Sequence, residues 1–150
     1  MPRLPLLAGG WVVLLIIALF ALACGDGSPE ADDAPTPVAP NDGVLTVRAF
    51  EWGFEPQAIA LRRGEQVRIV LVNEGKILHN LKVEDLAADV IETRSTGPLS
   101  GDEDELFVGA EQDDEGTLVF VPRASGSFTF YCTIRGHREL GMEGIITVEP

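Results

Sequence analysis

Residues 127–142 read SFTFYCTIRGHRELGM and combine a β-strand pattern with three potential metal donors. The first half alternates, so Phe128, Phe130 and Cys132 share one face of the predicted strand. The second half has the spacing Cys-x4-His-x4-Met, which puts a thiolate, an imidazole and a thioether on one loop. The stretch therefore predicts a strand that leads directly into a metal-binding loop.

A second imidazole comes from an upstream strand. Residues 77–83 alternate as well, which directs the histidine at position 79 towards the core. The chain thus offers two imidazoles, one thiolate and one thioether to a single site: His79, His137, Cys132 and Met142. Two imidazoles and a thiolate with a weak axial thioether are the donors of blue-copper electron-transfer sites.

Each donor alone has an ordinary structural explanation, as a hydrogen-bonded core histidine, an inert buried thiol or a packed methionine. Their joint occurrence at ligand spacing favours a metal site. Zinc rarely uses a thioether, and a binuclear copper centre would need a second cysteine in the loop. The acidic runs at 102–105 and 113–115 lack the glycine turn of a calcium-binding loop and are interpreted as solvated loops. The set indicates one copper ion, Cu(I) or Cu(II).

The chain from Val44 to Pro150 has the pattern of short strands separated by turns. Seven or eight strands in this region predict an all-β sandwich. The predicted strands are Val44–Phe50, Ala58–Arg62, Gln66–Val72, Ile77–Glu84, Thr117–Val121, Ser127–Cys132 and Gly144–Glu149. Residues 85–92 are predicted as a short helix and residues 101–105 as an acidic loop.

Residues 44–150 resemble the cupredoxins, the type 1 blue copper proteins that include plastocyanin, azurin and the auracyanins. The resemblance is carried by the run Phe54-Glu55-Pro56, Ile59-Ala60-Leu61, Gly64, Val67 and Asn73, by Cys132-Thr133-x-x-Gly136-His137, and by the gap from there to Met142. It implies a Greek-key β-sandwich. It implies His79, Cys132 and His137 as equatorial ligands and Met142 as the axial ligand.

The resemblance also implies roles for residues beside the ligands. Asn80 is expected to bridge the two ligand loops through hydrogen bonds near Cys132 and Thr133. One residue departs from the family pattern, because Arg135 stands where many relatives have proline. Arg135 and Arg138 flank the loop histidine. They are predicted either to form a basic docking collar around it or to be solvated or paired with Glu139 and Glu143.

The amino-terminal residues predict export and a membrane anchor. Residues 1–23 have one basic residue followed by an uncharged apolar stretch that ends in small residues before Cys24, as in a bacterial lipoprotein signal with Cys24 lipidated. The stretch is also long enough to remain as an uncleaved anchor. Residues 24–43 are rich in proline and acid and predict an extended linker between the membrane and a domain at 44–150.

Charge and donor count limit the function. The 150-residue chain carries a net charge of −13, which makes nucleic acid an implausible partner. Four protein ligands would leave no open position for a substrate, so the protein is expected not to be an enzyme. We expect a monomeric one-electron carrier on the outer face of the cell membrane, periplasmic or extracellular, that serves redox proteins of a respiratory or photosynthetic chain. The alternatives are copper delivery or sequestration, and an accessory copper subunit of a membrane oxidase.

Overall fold

Alternation of apolar and polar residues builds two β-sheets in this computed structural model, which describes residues 35–99, 101–102 and 105–150. Ten strands lie in these residues: β1 Val44–Phe50, β2 Gly53–Glu55, β3 Ala58–Arg62, β4 Val67–Asn73, β5 His79–Val83, β6 Ala88–Arg94, β7 Phe107–Ala110, β8 Glu115–Pro122, β9 Gly126–Tyr131 and β10 Glu143–Glu149. A single 3-10 turn, Arg138–Leu140, lies between β9 and β10. The predicted all-β sandwich is confirmed, with ten strands instead of seven or eight.

The two sheets have five strands each. One has the order β2-β1-β4-β8-β6, and the other has the order β3-β10-β9-β5-β7. The pairs β1–β4 and β3–β10 are parallel, and the remaining pairs are antiparallel. Because β9 and β10 pair antiparallel, the loop that joins them lies at one end of the sandwich, where β5 begins.

The core lies between the sheets and follows the period of two that the sequence predicts. Along β1 the buried residues are Leu45, Val47 and Ala49, and the residues between them are exposed. Phe120 of β8 and Phe130 of β9 are completely buried. Truncating a buried phenylalanine to alanine costs about 3–5 kcal/mol, so these rings contribute strongly to the stability of the scaffold.

The prediction of a helix at residues 85–92 is wrong, because most of this region belongs to β6. Asp85 has a φ of 59°, which interrupts a right-handed helix at its first residue. From Ala88 onwards the residues alternate between half-buried and exposed and pair antiparallel with β8. The backbone groups of this segment pair with those of β8, a partner that the local sequence of residues 85–92 does not show. The short strands β2 and β7 were likewise not predicted.

The end of the predicted linker is attached to the sandwich. The backbone N–H of Val38 donates to the carbonyl of Ala58 at 2.9 Å, and the N–H of Ala60 donates to the carbonyl of Val38 at 3.0 Å. Val38 thus extends the sheet beyond β3 and runs parallel to β3. Within the expected linker, residues 35–43 lie against the sandwich through the pairing of Val38. Residues 24–34 and residues 1–23 lie outside the described residues.

No helix among the described residues is long and apolar enough to cross a membrane.

Candidate metal centre

Three of the predicted donors meet at one end of the sandwich. His79 is the first residue of β5, Cys132 follows β9, and His137 lies in the loop between β9 and β10. Their donor atoms all lie within 4.8 Å of one another, and all three residues are buried. The Sγ atom of Cys132 is 3.4 Å from Nδ1 of His137. The tertiary structure therefore brings the thiol and both imidazoles into one cluster.

Met142 closes the loop on the same side. Its backbone N–H donates to the carbonyl of His137 at 3.0 Å, and its carbonyl accepts from the N–H of Cys132 at 3.1 Å. The side chain of Met142 is completely buried. The second hydrogen bond joins the first and last residues of the loop, and the first joins the last residue to His137. Both restrain the loop, although position 135 is arginine and not proline.

Burial sets the protonation of the donors in the metal-free protein. It lowers the pKa of both His79 and His137, with the neighbouring His137 adding to the effect at His79. It raises the pKa of the Cys132 thiol, against an opposing effect of the backbone N–H groups of Asn80 and Ile134. The imidazoles are thus neutral and ready to coordinate at pH 7, whereas the thiol must release its proton when a metal binds.

His79 provides the test of whether a metal fits here. Both of its ring nitrogens are buried and lack a hydrogen-bonding partner among the described residues. A buried polar group without a partner costs about 1–3 kcal/mol. A copper ion coordinated by one of these nitrogens would remove part of that cost, and the thiol of Cys132 and the imidazole of His137 beside it are donors that copper prefers.

The expected bridge between the two ligand segments is present. The side-chain amide of Asn80 donates to Oγ1 of Thr133 at 3.0 Å, and the N–H of Thr133 donates to Oδ1 of Asn80 at 2.8 Å. Asn80 follows His79 and Thr133 follows Cys132 in the sequence. The paired hydrogen bonds therefore hold the two ligands in a constant relative position.

Two residues of the β1–β2 turn also contact the cluster, and sequence reasoning missed both. Oε1 of Glu51 lies 3.7 Å from Nε2 of His79, which is too long for a hydrogen bond but close for a charge. The same oxygen accepts from the N–H of Lys76 at 2.5 Å, which lowers the pKa of Glu51. Trp52 packs edge-on against His137, with ring centroids 4.8 Å apart. Neither residue has a pattern that links it to the ligand segments.

Arg138 and Arg135 differ in their surroundings. The guanidinium of Arg138 lies 4.1 Å from the ring centre of Tyr131 and is paired with Glu143 at 3.0 Å and Glu84 at 3.6 Å. Arg135 is exposed and forms no ion pair with the described residues. The charge of Arg138 is therefore locally compensated, whereas Arg135 presents its charge to solvent. Cys24, the predicted lipidation site, lies outside the described residues.

Comparison with known proteins gives a consistent family. The model of the copper binding proteins of the plastocyanin/azurin family matches residues 42–149. The chain is 28% identical to the copper-resistant cuproprotein CopI of Pseudomonas aeruginosa, over 91% of this chain and 94% of that protein. It is 35% identical to CopI of Rubrivivax gelatinosus, over 79% and 78% of the two chains. The reduced auracyanin of Roseiflexus castenholzii has the same fold, with a TM-score of 0.57 at 16% identity over 74% of this chain and all of that one.

Proposed function

Because the chain belongs to the plastocyanin/azurin family of copper-binding proteins, we propose that it carries single electrons between redox partners from a tethered position on the outer face of the membrane. The protein binds one copper, and His79, Cys132, His137 and Met142 are the residues that would hold it. Copper supplies a one-electron couple between Cu(I) and Cu(II) in such a donor set.

One observation carries the proposal: the predicted donors are buried, and the segments that carry them are joined by hydrogen bonds. Cys132 is tied to Met142 by the backbone, and the bonds between Asn80 and Thr133 tie the two ligand segments together. A site held in this way keeps its geometry when its charge changes by one, which favours rapid electron exchange. Four protein donors would fill the coordination sphere of a bound copper and leave no position for a substrate, which supports a carrier over an enzyme.

The route for electrons follows from what covers the cluster. His137 is only 5% exposed, but Trp52, which packs against it, is 41% exposed. A partner that touches Trp52 would approach the loop histidine through one aromatic ring. The β1–β2 turn is therefore the surface through which we expect electrons to enter or leave.

The absorption spectrum of the copper-loaded protein tests the proposal. We expect one copper per chain, a reversible redox couple and an intense band near about 600 nm from thiolate-to-copper charge transfer. Cys132→Ser should abolish the band while the protein still folds, and the matched variant Cys24→Ser should keep it. A band that survives Cys132→Ser would contradict the site.

The tether has its own test. Cys24 follows an uncharged stretch and small residues, which supports lipidation of this cysteine. We expect wild-type protein in the membrane fraction and Cys24→Ser in the soluble fraction or retained with its leader. Mass analysis of the amino terminus distinguishes a lipidated Cys24 from an uncleaved anchor.

Copper handling is the second candidate, and the similar proteins favour it. The relatives at 28% and 35% identity are named copper-resistant cuproproteins. A handling protein would bind Cu(I) in order to deliver or sequester it. Loss of copper from the loaded protein to a Cu(I) chelator distinguishes the roles: a carrier retains its copper through many redox cycles, whereas a delivery protein releases it to an acceptor.

A further inference from the structure

The chain enters the sandwich at the end that holds the metal cluster. Val38 pairs with β3 in parallel, and β3 pairs with β10 in parallel. Since β10 begins directly after Met142, all three segments start at this end, which we call the metal end. Pro35 accordingly lines a surface cavity together with Gly141 of the ligand loop and Glu143, the first residue of β10.

The opposite end of the sandwich is equally well defined. The N–H of Arg63 donates to the carbonyl of Glu149, and the N–H of Gly64 donates to the carbonyl of Pro122. Arg63 and Gly64 directly follow β3, and Glu149 and Pro122 are the last residues of β10 and β8. We call this end of the sandwich the far end. Without residues 35–43 the chain would enter at Val44, at the far end, because β1 runs towards the metal end and is followed there by Glu51 and Trp52.

Chain length limits how far the metal end can lie from the membrane. Ten residues, 25–34, separate Cys24 from Pro35. A chain of this length spans at most about 36 Å when fully extended. A folded domain of the size of residues 35–150 has a radius of gyration of about 13 Å and so a diameter of about 35 Å. If the metal end faced away from the membrane, the tether would have to run along the full diameter of the domain, and this would use nearly all of its length.

We propose that the tether holds the metal end towards the membrane, so that the site exchanges electrons with a redox protein embedded in that same membrane. The docking surface consists of Trp52 and Leu140, which are 41% and 58% exposed, together with the exposed Arg135 of the same loop as Leu140. Two exposed apolar side chains suit contact with a protein surface that loses water on docking. The inference rests on the membrane tether of the proposed function, and it adds the direction in which the site faces.

Energy transfer between a dye on the protein and acceptor dyes on lipid headgroups tests the orientation. The full-length, copper-loaded protein is reconstituted into phosphatidylcholine vesicles that carry headgroup acceptors. A thiol-reactive dye is placed at Arg135→Cys, at the metal end, or at the matched Arg63→Cys, at the far end; Cys132 is 1% exposed and so is protected. The seven residues of β10 separate the ends by at least about 23 Å, so we expect transfer from position 135 to exceed that from position 63 about twofold or more.

Variants at Val38 make the test specific to the attached segment. Val38→Pro removes the N–H that bonds Ala58, whereas Val38→Ala keeps it. We expect the difference between the two dye positions to shrink in Val38→Pro, because residues 35–43 then lengthen the tether from the far end, and to persist in Val38→Ala. Equal transfer from both positions in the wild type, or stronger transfer from position 63, would overturn the inference.

Two further outcomes separate this inference from its premise and from a direct lipid contact. Protein that stays in the supernatant, with no transfer from either position, would refute the tether and with it both proposals.

A second experiment uses electron donors in place of dyes. A lipid with a ferrocene headgroup serves as a one-electron donor confined to the membrane, and soluble ferrocyanide serves as the donor in solution. We expect the lipid to reduce the oxidised wild type several-fold faster than Val38→Pro, with ferrocyanide reducing both equally; equal rates with the lipid as well would count against a membrane-facing site. A blue shift of Trp52 emission in vesicles that contain no other protein would show insertion into lipid and overturn the assignment of a protein partner.

Discussion

At the scale of single residues, the four donors are held by different contacts. Cys132 and Met142 share backbone hydrogen bonds, and His137 is covered by Trp52. His79 has no hydrogen-bonding partner for either ring nitrogen among the residues described and lies near the carboxylate of Glu51. Because Nε2 lies near Glu51, Nδ1 would be the nitrogen available to copper, and the nearby negative charge would favour the more positive Cu(II) state.

This contact predicts the effect of removing the charge of Glu51. Glu51→Gln should raise the reduction potential of the bound copper, because the oxidised, more positive state loses a nearby negative charge. The control is Glu55→Gln, which removes the same charge from a residue that pairs with Arg48 instead of with a ligand. Potentiometric titration of the blue absorption measures both. An unchanged potential in Glu51→Gln, or an equal rise in both variants, would show that Glu51 has no specific effect on the site.

At the scale of elements, the ligand cluster depends on turns as much as on strands. The β4–β5 turn contains Gly75, where an added Cβ atom would lie 2.7 Å from Nε2 of His79 and 2.8 Å from Oε1 of Glu51. The absence of a side chain at position 75 thus allows the histidine and the carboxylate to approach each other. A different glycine, Gly116 of β8, is crowded by backbone, since its Cβ would lie 2.5 Å from the carbonyl oxygen of Gly109.

These two glycines predict different losses. Gly75→Ala should displace His79 or Glu51, so we expect a shifted charge-transfer band and weaker copper binding with little loss of stability in the metal-free protein. Gly116→Ala should lower the free energy of unfolding by about 1–3 kcal/mol and leave the band unchanged. Absorption spectra and urea unfolding measure both effects. The assignment of Gly75 would fail if its alanine variant had a wild-type spectrum.

At the scale of the whole molecule, charge is distributed unevenly. Without residues 1–23 the chain has 10 basic and 24 acidic residues and a net charge of −14, since Arg3 is the one charge removed. The metal end nevertheless has an exposed Arg135, although Arg138 is compensated by two carboxylates. The predicted basic collar is therefore weaker than the sequence suggests, and Arg135 is its main free charge.

The collar predicts how electron transfer depends on salt. If it steers docking to an acidic partner, the wild-type rate should fall as ionic strength rises, because salt screens the attraction. The double variant Arg135→Gln/Arg138→Gln should be slower at low salt and equal to the wild type at high salt. The pair Arg62→Gln/Arg63→Gln makes the same change in charge at the far end and should have a smaller effect. Identical rates for all three proteins would show that the collar does not steer docking.

The sequence by itself determined the class of fold and predicted the donor set, of which the structure brings His79, Cys132 and His137 together. Strand alternation is a local pattern with a period of two. Apart from Met1 and Cys24, one predicted site accounts for every histidine, cysteine and methionine of the chain. Both signals are readable without knowing which strands are neighbours. Residues 85–92 were predicted as a helix because the strand there is stabilised by pairing with β8, and a pattern within one segment does not show its neighbour.

Only the tertiary structure decided what surrounds the donors and where the chain enters. The contacts of Glu51 with His79, of Trp52 with His137 and of Val38 with β3 each join residues that are far apart in sequence. Such contacts depend on the register and packing of two sheets, which no periodicity in one segment specifies. Sequence therefore predicts which atoms could bind copper, whereas the sandwich determines the charge beside them, the ring that covers them and the end of the sandwich at which residues 35–43 join it.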